Sequence, residues 1–322
     1  MTKWKVVATA VTFGKFYKKT IEKLENNNCE VVLNPYERPL TNEEMIELAY
    51  DADALIVGND KVPGNVIEHF TNMKIIAKHG VGVDAIDRKK AQEKGILVTN
   101  APGTNKEEVA DLALGFILDI ARALSWTNQQ TKARKWIKYP GLAMHRKTIG
   151  IIGVGNIGTA LAKRATGFSM RILGYDIEER EEAKQLGVQY VTLETLLEES
   201  DIISLHVPLN EGTYQMIQKE QFDLMKDGVI LVNTARSMCV NHEALNENLQ
   251  SGKVFGYATD VFDFEPPAWQ PYFDHPRVIL TPHIGGATIE SNARMGNIAV
   301  DNVLAAKNGE NPPNIIRPET VI

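Results

Sequence analysis

Cysteine is nearly absent. Cys29 and Cys239 are the only two in 322 residues, which excludes a disulfide framework and a cysteine-rich zinc site. A basic excess is missing as well: 35 lysines and arginines stand against 41 aspartates and glutamates, a net charge of −6. Electrostatics therefore offers no ground for a nucleic-acid or anionic-membrane partner. No stretch reaches the ~18 consecutive apolar residues that a membrane span needs. The opening Met-Thr-Lys-Trp-Lys-Val-Val leads directly into a strand-like run without an apolar signal region, so a cytoplasmic location is expected. Low-complexity segments and short repeats are lacking, and no metal site is expected. Apolar material, by contrast, makes up 43% of the chain, enough for buried cores. At ~150 residues per domain the length predicts two domains and no room for a third.

Short runs rich in β-branched residues alternate with longer amphipathic segments. Trp4–Ala10, Cys29–Leu33, Ala54–Val57, Ile75–Lys78 and Ile96–Val98 read as strands with helical stretches between them. Thr41 is placed to cap a helix, with Glu44 completing a capping box. Alternation of this kind predicts an α/β protein with parallel sheets covered by helices. Near residue 100 the rhythm breaks at Pro102-Gly103. A long apolar helix from about Lys106 to Leu124 follows, then a stretch, Trp126 to Arg146, with no clear strand. Strand and helix alternate again from Thr148 to about Leu280, and a final helix is expected over roughly Thr288 to Lys307.

The segment KTIGIIGVGNIG, Lys147–Gly158, is an apolar strand followed by Gly153-x-Gly155-x-x-Gly158 and the start of a helix. Gly153 permits the tight turn, Gly155 lets backbone approach a pyrophosphate, and Gly158 lets the helix pack closely on the strand. The partial positive charge and free N–H groups of that helix start would face the phosphates. A second strand, Arg171–Tyr175, leads to Asp176, placed where a carboxylate accepts hydrogen bonds from an adenosine ribose. The context points to a dinucleotide. Asp176, with Glu178 and Glu179 beside it, favours NAD over NADP, and Arg180 reads as a solvated residue at a helix start.

Three further strands each run into polar residues, where open α/β sheets bind ligands. Val229–Asn233 is followed by Thr234-Ala235-Arg236, Phe255–Val261 carries Asp260 and leads to Glu265, and Val278–Leu280 is followed by Thr281-Pro282-His283. With HGVGVD (His79–Asp84), GVGNIG, HVPL (His206–Leu209), NTAR, DVFDFEPP (Asp260–Pro267) and TPHIGG (Thr281–Gly286), the sequence resembles the D-isomer-specific 2-hydroxyacid dehydrogenases. Among them it looks most like D-3-phosphoglycerate dehydrogenases without a regulatory domain. The resemblance implies a Rossmann-type, doubly wound parallel-sheet domain for NAD over residues 101–287. A flavodoxin-like α/β substrate domain would combine 1–100 with 288–322. The implied activity is hydride transfer between NAD(H) and a small D-2-hydroxy acid or 2-oxo acid.

On this resemblance Arg236, Glu265 and His283 are catalytic. Histidine, with an unperturbed pKa near 6.5, suits proton donation to a carbonyl oxygen at neutral pH. Glu265 on the other ring nitrogen would fix the tautomer and raise the histidine pKa. The planar fork of Arg236 suits a substrate carboxylate. For the cofactor, the resemblance assigns Gly153, Gly155, Asn156, Ile157 and Gly158 to the pyrophosphate and Asp176 to the ribose. It gives Pro208 and Thr213 to the adenine side, Thr234 and Ala235 to the nicotinamide surroundings, Asp260 to the carboxamide, and Gly286 to the same site. His206 is expected on the cofactor-side wall rather than in catalysis. Val81 and Gly82 would offer backbone contacts to the substrate, with Lys78 adding charge or standing as a solvated strand end.

Two departures bear on the substrate. Phosphoglycerate enzymes typically carry an Arg-Ser pair where this chain has Gly58-Asn59-Asp60-Lys61, which weakens the case for a phosphorylated acid. After the arginine, Ser237-Met238-Cys239-Val240-Asn241 replaces the usual Gly-Gly and Val-Asp, with Cys239 read as a small buried hydrophobe. Glyoxylate or hydroxypyruvate reduction is the alternative activity, and an NAD-sensing corepressor-like binding protein the alternative from another class. The stretch from Lys106 to Arg146 resembles a dimer-forming arm, so a homodimer is expected.

Overall fold

In the first sheet, alternate residues of each strand feed opposite cores. The strands are β1 (Trp4–Ala8), β2 (Cys29–Leu33), β3 (Ala54–Val57), β4 (Ile75–Lys78) and β5 (Leu97–Thr99), all parallel, in the order β2-β1-β3-β4-β5. Val6, Ala8, Ala54, Ile56, Ile75 and Ala77 line one face, while Val7, Leu55, Val57, Ile76 and Val98 line the other. Period-two burial on both faces is what helices on both sides of a parallel sheet require. The helix Asn42–Ala49 begins as expected: Thr41 accepts from the Glu44 backbone and Glu44 accepts from the Thr41 backbone. The order is flavodoxin-like.

The computed structural model describes residues 3–318 and divides into two units. One runs to Asn105 and resumes at Gly286; the other is Lys106–Gly285. The chain returns to the first unit through the helix Ile289–Lys307, capped by Thr288, whose Ala299, Val300 and Val303 join the core of the first face.

The second sheet has seven parallel strands: β6 (Thr148–Ile152), β7 (Arg171–Tyr175), β8 (Val188–Tyr190), β9 (Ile202–Leu205), β10 (Val229–Asn233), β11 (Val254–Thr259) and β12 (Val278–Leu280). Their order, β12-β11-β10-β9-β6-β7-β8, is the doubly wound Rossmann arrangement, extended by one strand at the β12 edge. Helices cover both faces. Ala113, Ile117 and Ala162 pack under Ile149 and Ile151, and Leu197, Phe222 and Leu245 pack on the face of Ile152 and Leu231.

Several boundaries differ from the sequence reading: β1 ends at Ala8 and not Ala10, β5 is Leu97–Thr99 and not Ile96–Val98, and two more differ in the second unit. The strand expected to run through Val261 ends at Thr259, so Asp260 sits just beyond the sheet, free to turn its side chain into the loops there. The helix expected to reach Leu124 is Lys106–Arg122, stopped by Ala123 in the left-handed conformation (φ 49°) before a second helix, Leu124–Lys132. Left-handed backbone cannot continue a right-handed helix.

Candidate active site

The glycine loop is shaped as its residues dictate. Gly153 has φ 92°, outside the range a side chain tolerates, and a Cβ on Gly158 would lie 2.1 Å from the Gly153 carbonyl oxygen. A Cβ on Gly155 would meet nothing within 4 Å, so the space before the helix Asn156–Thr166 is open. That helix also has no side-chain cap, which leaves its first N–H groups to a ligand. These features fit a dinucleotide pyrophosphate, with Asn156 and Ile157 in the first turn.

Asp176 is firmly held at the end of β7. Its Oδ2 accepts from the Val154 N–H (2.7 Å) and its Oδ1 from the N–H groups of Ile177 (2.7 Å) and Glu178 (3.3 Å). The carboxylate thus braces the glycine loop and presents its remaining lone-pair capacity outward. Arg180, expected to be solvated, precedes the helix Glu181–Gln185 but also donates from Nη1 to Oδ1 of Asn156 (2.9 Å). Its guanidinium therefore leans on the glycine loop.

On the other side of β6, Thr213 donates to the Pro208 carbonyl (2.6 Å), so the two adenine-side candidates form one turn. His206 bonds through both ring nitrogens, to Ser204 Oγ (2.9 Å) and to Thr234 Oγ1 (3.1 Å). Burial of the ring holds its pKa down at about 3, so it is a neutral strut between β9 and β10 and not an acid. Sequence reasoning missed Asn233, which is fully buried. It accepts from the Ala235 N–H (3.0 Å) and donates to the Arg236 carbonyl (2.9 Å), fixing the turn that carries the arginine. Cys239 is buried, and burial pushes its thiol pKa up, as befits an unreactive cysteine.

His283 and Glu265 meet directly: Nδ1 donates to Oε1 at 2.6 Å. A carboxylate only accepts, so the proton on that side of the ring belongs to Nδ1, and Nε2 is left to gain or lose a proton. Both side chains keep partial exposure, 34% and 23%, so a small molecule has access. His283 adopts φ 53°, unusual for a residue with a Cβ. Asp260 accounts for that backbone. Buried at 2% exposure, it accepts from Thr281 Oγ1 (2.6 Å), the Ile284 N–H (2.7 Å) and the Gly285 N–H (2.6 Å), gripping the loop on both sides of His283. Its pKa is raised by burial, against the pull of those three donors and of His283. Sequence reasoning had given Asp260 a cofactor contact alone. The loop clasp is an added role.

In the first unit, the HGVGVD loop leaves β4. The Val81 carbonyl accepts from Asn100 Nδ2 (2.8 Å), and Val81 and Gly82 remain half-exposed. Lys78 is not a solvated strand end: it is buried, and its ammonium donates to the Gly58 carbonyl. Asp60 is likewise buried and works internally, accepting from Thr9 Oγ1 (2.8 Å), the Leu40 N–H (2.8 Å) and the Gly58 N–H (3.2 Å). Gly286 falls in this unit, where a Cβ would stand 3.3 Å from Asn105 Nδ2.

His79, which opens the loop, is buried with its ring edge-on to Phe13. Its Nε2–H donates to Asn292 Oδ1 (3.1 Å), while Nδ1 has no hydrogen-bond partner. Burial lowers its pKa from 6.5 to about 4. The folded chain therefore resists a proton that the unfolded chain accepts below 6.5. The stabilisation is complete above 6.5 and is lost as pH falls toward 4, by about 1.4 kcal/mol per pH unit. His79→Gln is expected to flatten the slope of urea-unfolding stability across that interval, and an unchanged slope would show that His79 is protonated in the fold.

Known proteins share this fold. Residues 114–285 match the family model described as D-isomer specific 2-hydroxyacid dehydrogenase, NAD binding domain. The chain is 41% identical over 313 residues to a glyoxylate reductase of Korarchaeum cryptofilum, covering 94% of each. It is 42% identical over 293 residues to a hydroxypyruvate reductase of Thermotoga maritima, covering 88% of this chain and 95% of the relative. The crystal structure of the TT0316 protein from Thermus thermophilus superposes with a TM-score of 0.87 at 35% identity, covering 97% of this chain and 99% of that one.

Proposed function

The chain belongs to the D-isomer specific 2-hydroxyacid dehydrogenase family and is an NAD-dependent oxidoreductase; from that premise we propose that it reduces a small 2-oxo acid with His283 as the acid. The observation that carries this reading is the 2.6 Å bond from His283 Nδ1 to Glu265, which leaves Nε2 as the proton-carrying atom. NADH, when bound, supplies the hydride. The chain's own residues do the rest. Arg236 grips the substrate carboxylate, protonated His283 gives its Nε2 proton to the carbonyl oxygen, and Glu265 steadies the imidazolium before the transfer and holds the neutral ring by Nδ1–H until solvent reprotonates Nε2. In oxidation, neutral His283 takes the hydroxyl proton. Val81 and Gly82 are assigned backbone contacts to the substrate.

The substrate side favours an acid without a phosphate. No arginine occupies the Gly58–Lys61 loop, the Asp60 charge is committed inside the fold, and the Lys78 ammonium is turned toward the Gly58 carbonyl. Glyoxylate and hydroxypyruvate, the substrates in the relatives' names, are acids of this kind. The test is a panel of 2-oxo acids, with and without phosphate, followed by NADH absorbance. Turnover of glyoxylate or hydroxypyruvate well above that of 3-phosphohydroxypyruvate is expected. The reverse ranking would overturn the substrate assignment, and NADH binding without any turnover would overturn the catalytic one.

The protein works as a homodimer in the cytoplasm on this reading. The helix Leu124–Lys132 has no buried residue, and beyond it Trp136 is 85% exposed, apolar surface of the sort a second copy covers. Among the described residues no helix is long and apolar enough to cross a membrane.

A further inference from the structure

Arg236 and Glu265 lie on different loops of the second unit, and a line of three side chains joins those loops. Ser237, immediately after Arg236, is buried at 5% exposure in the turn Ser237–Cys239. Its Oγ lies 3.0 Å from Nε2 of His242, the first residue of the helix His242–Ser251. The other ring nitrogen, Nδ1, stands 3.8 Å from Oδ2 of Asp263, two residues before Glu265. The imidazole is also packed against the buried ring of Tyr272, with centroids 5.6 Å apart, which limits its freedom to turn.

The order Ser–His–Asp is that of a hydrolytic triad, yet the burial of Ser237 closes its hydroxyl to an acyl substrate. What the line does instead is span. Asp263 keeps its other oxygen, Oδ1, buried without a hydrogen bond, a costly arrangement for a carboxylate that serves only packing. Ser237 is also a residue at which this chain departs from the glycine common after the arginine, and glycine has no hydroxyl to offer His242.

We propose that His242 is a positioning residue for the reduction: by bridging Ser237 and Asp263 it sets the spacing between Arg236, which grips the carboxylate, and the loop that carries Glu265. The bridge works in both protonation states of the ring. Neutral His242 with its proton on Nδ1 faces Asp263 and accepts from the serine hydroxyl. Charged His242 donates from Nε2 to Ser237 and attracts the Asp263 carboxylate across 3.8 Å. It rests on the reading of Arg236 and Glu265 given above.

The test uses Ser237→Ala, which removes one oxygen, together with His242→Ala and the double variant. Each single variant is expected to raise KM for the 2-oxo acid by about tenfold, the size of one lost charge-positioning contact. The dissociation constant for NADH, read by fluorescence, should stay unchanged. The double variant should be no worse than the poorer single one, because both cut the same line. Asp263→Asn, which keeps the volume, should show a smaller rise. Unchanged KM in Ser237→Ala and His242→Ala, or losses that multiply in the double variant, would overturn the proposal, as would an equal weakening of NADH binding. Arg236→Lys, measured alongside, separates the two levels. An unchanged KM there overturns the carboxylate grip and this proposal with it. A raised KM there with unchanged Ser237→Ala and His242→Ala overturns this proposal alone.

Discussion

Replacing His283 with alanine is expected to lower kcat by about 10²–10⁴-fold, the range that a positioned general acid contributes. NADH binding should persist, because the glycine loop and Asp176 do not involve the histidine side chain. The loss should fall on kcat and on kcat/KM alike, since the proton moves only as the carbonyl is reduced. Glu265→Gln provides the companion measurement. A neutral amide can still accept from Nδ1, but it no longer stabilises the charged ring, so kcat for reduction at neutral pH should fall, by less than in His283→Ala. A His283→Ala enzyme with unaltered kcat would show that the proton comes from elsewhere. The measurements are steady-state rates at saturating 2-oxo acid and fluorescence titration of NADH.

Asp260→Ala carries the next largest expectation. Three hydrogen bonds converge on this buried carboxylate from residues on either side of His283, and bonds to a charged acceptor contribute about 1.5–3 kcal/mol each. Removing them frees a backbone that holds His283 at φ 53°. A displacement of the acid by even about 1 Å costs on the order of 10²-fold in rate, and kcat is expected to fall by about that much. Asp260→Asn should not rescue it. One amide position becomes an N–H donor facing either Gly285 or the Thr281 and Ile284 donors, so a bond is replaced by a conflict. If Asp260→Ala keeps its kcat within threefold and only weakens NADH binding, the carboxylate acts on the cofactor and not on the loop.

The parts of this site that local backbone geometry demands are visible in the sequence. Gly153 and Gly158 are such parts, since no other residue fits φ 92° or a 2.1 Å approach to a carbonyl. His283 and Glu265 are visible through the motifs around them, and their contact follows once β11 and β12 are neighbours in the sheet. The alternation of β-branched strands and amphipathic helices likewise implies two parallel sheets. Contacts set by tertiary packing leave no such trace. The bond between His79 and Asn292 joins residues 213 apart in the chain, and the burial of Lys78 depends on where Gly58 comes to lie. The Asn233 clamp on the Arg236 turn spans only three residues, but asparagine at a strand end has many uses, and none is singled out without coordinates. Asp260 reads from the sequence as a strand residue with a cofactor contact implied by the resemblance; its place beyond β11 and its clasp on the His283 loop depend on tertiary packing.

The return of the chain to the first unit has a consequence for synthesis. The apolar row of Val6, Ala8, Ala54, Ile56, Ile75 and Ala77 is complete once β4 has emerged, but Ala299, Val300 and Val303 in its covering helix are translated more than two hundred residues later. During that interval the Lys106–Gly285 unit is synthesised in full, while one face of the first unit still lacks its last covering helix. Folding on the ribosome therefore runs out of chain order, with the inner unit free to finish before the outer one. The nascent protein's most vulnerable surface is the one made first, and a chaperone that shields β-sheet faces has its longest window there.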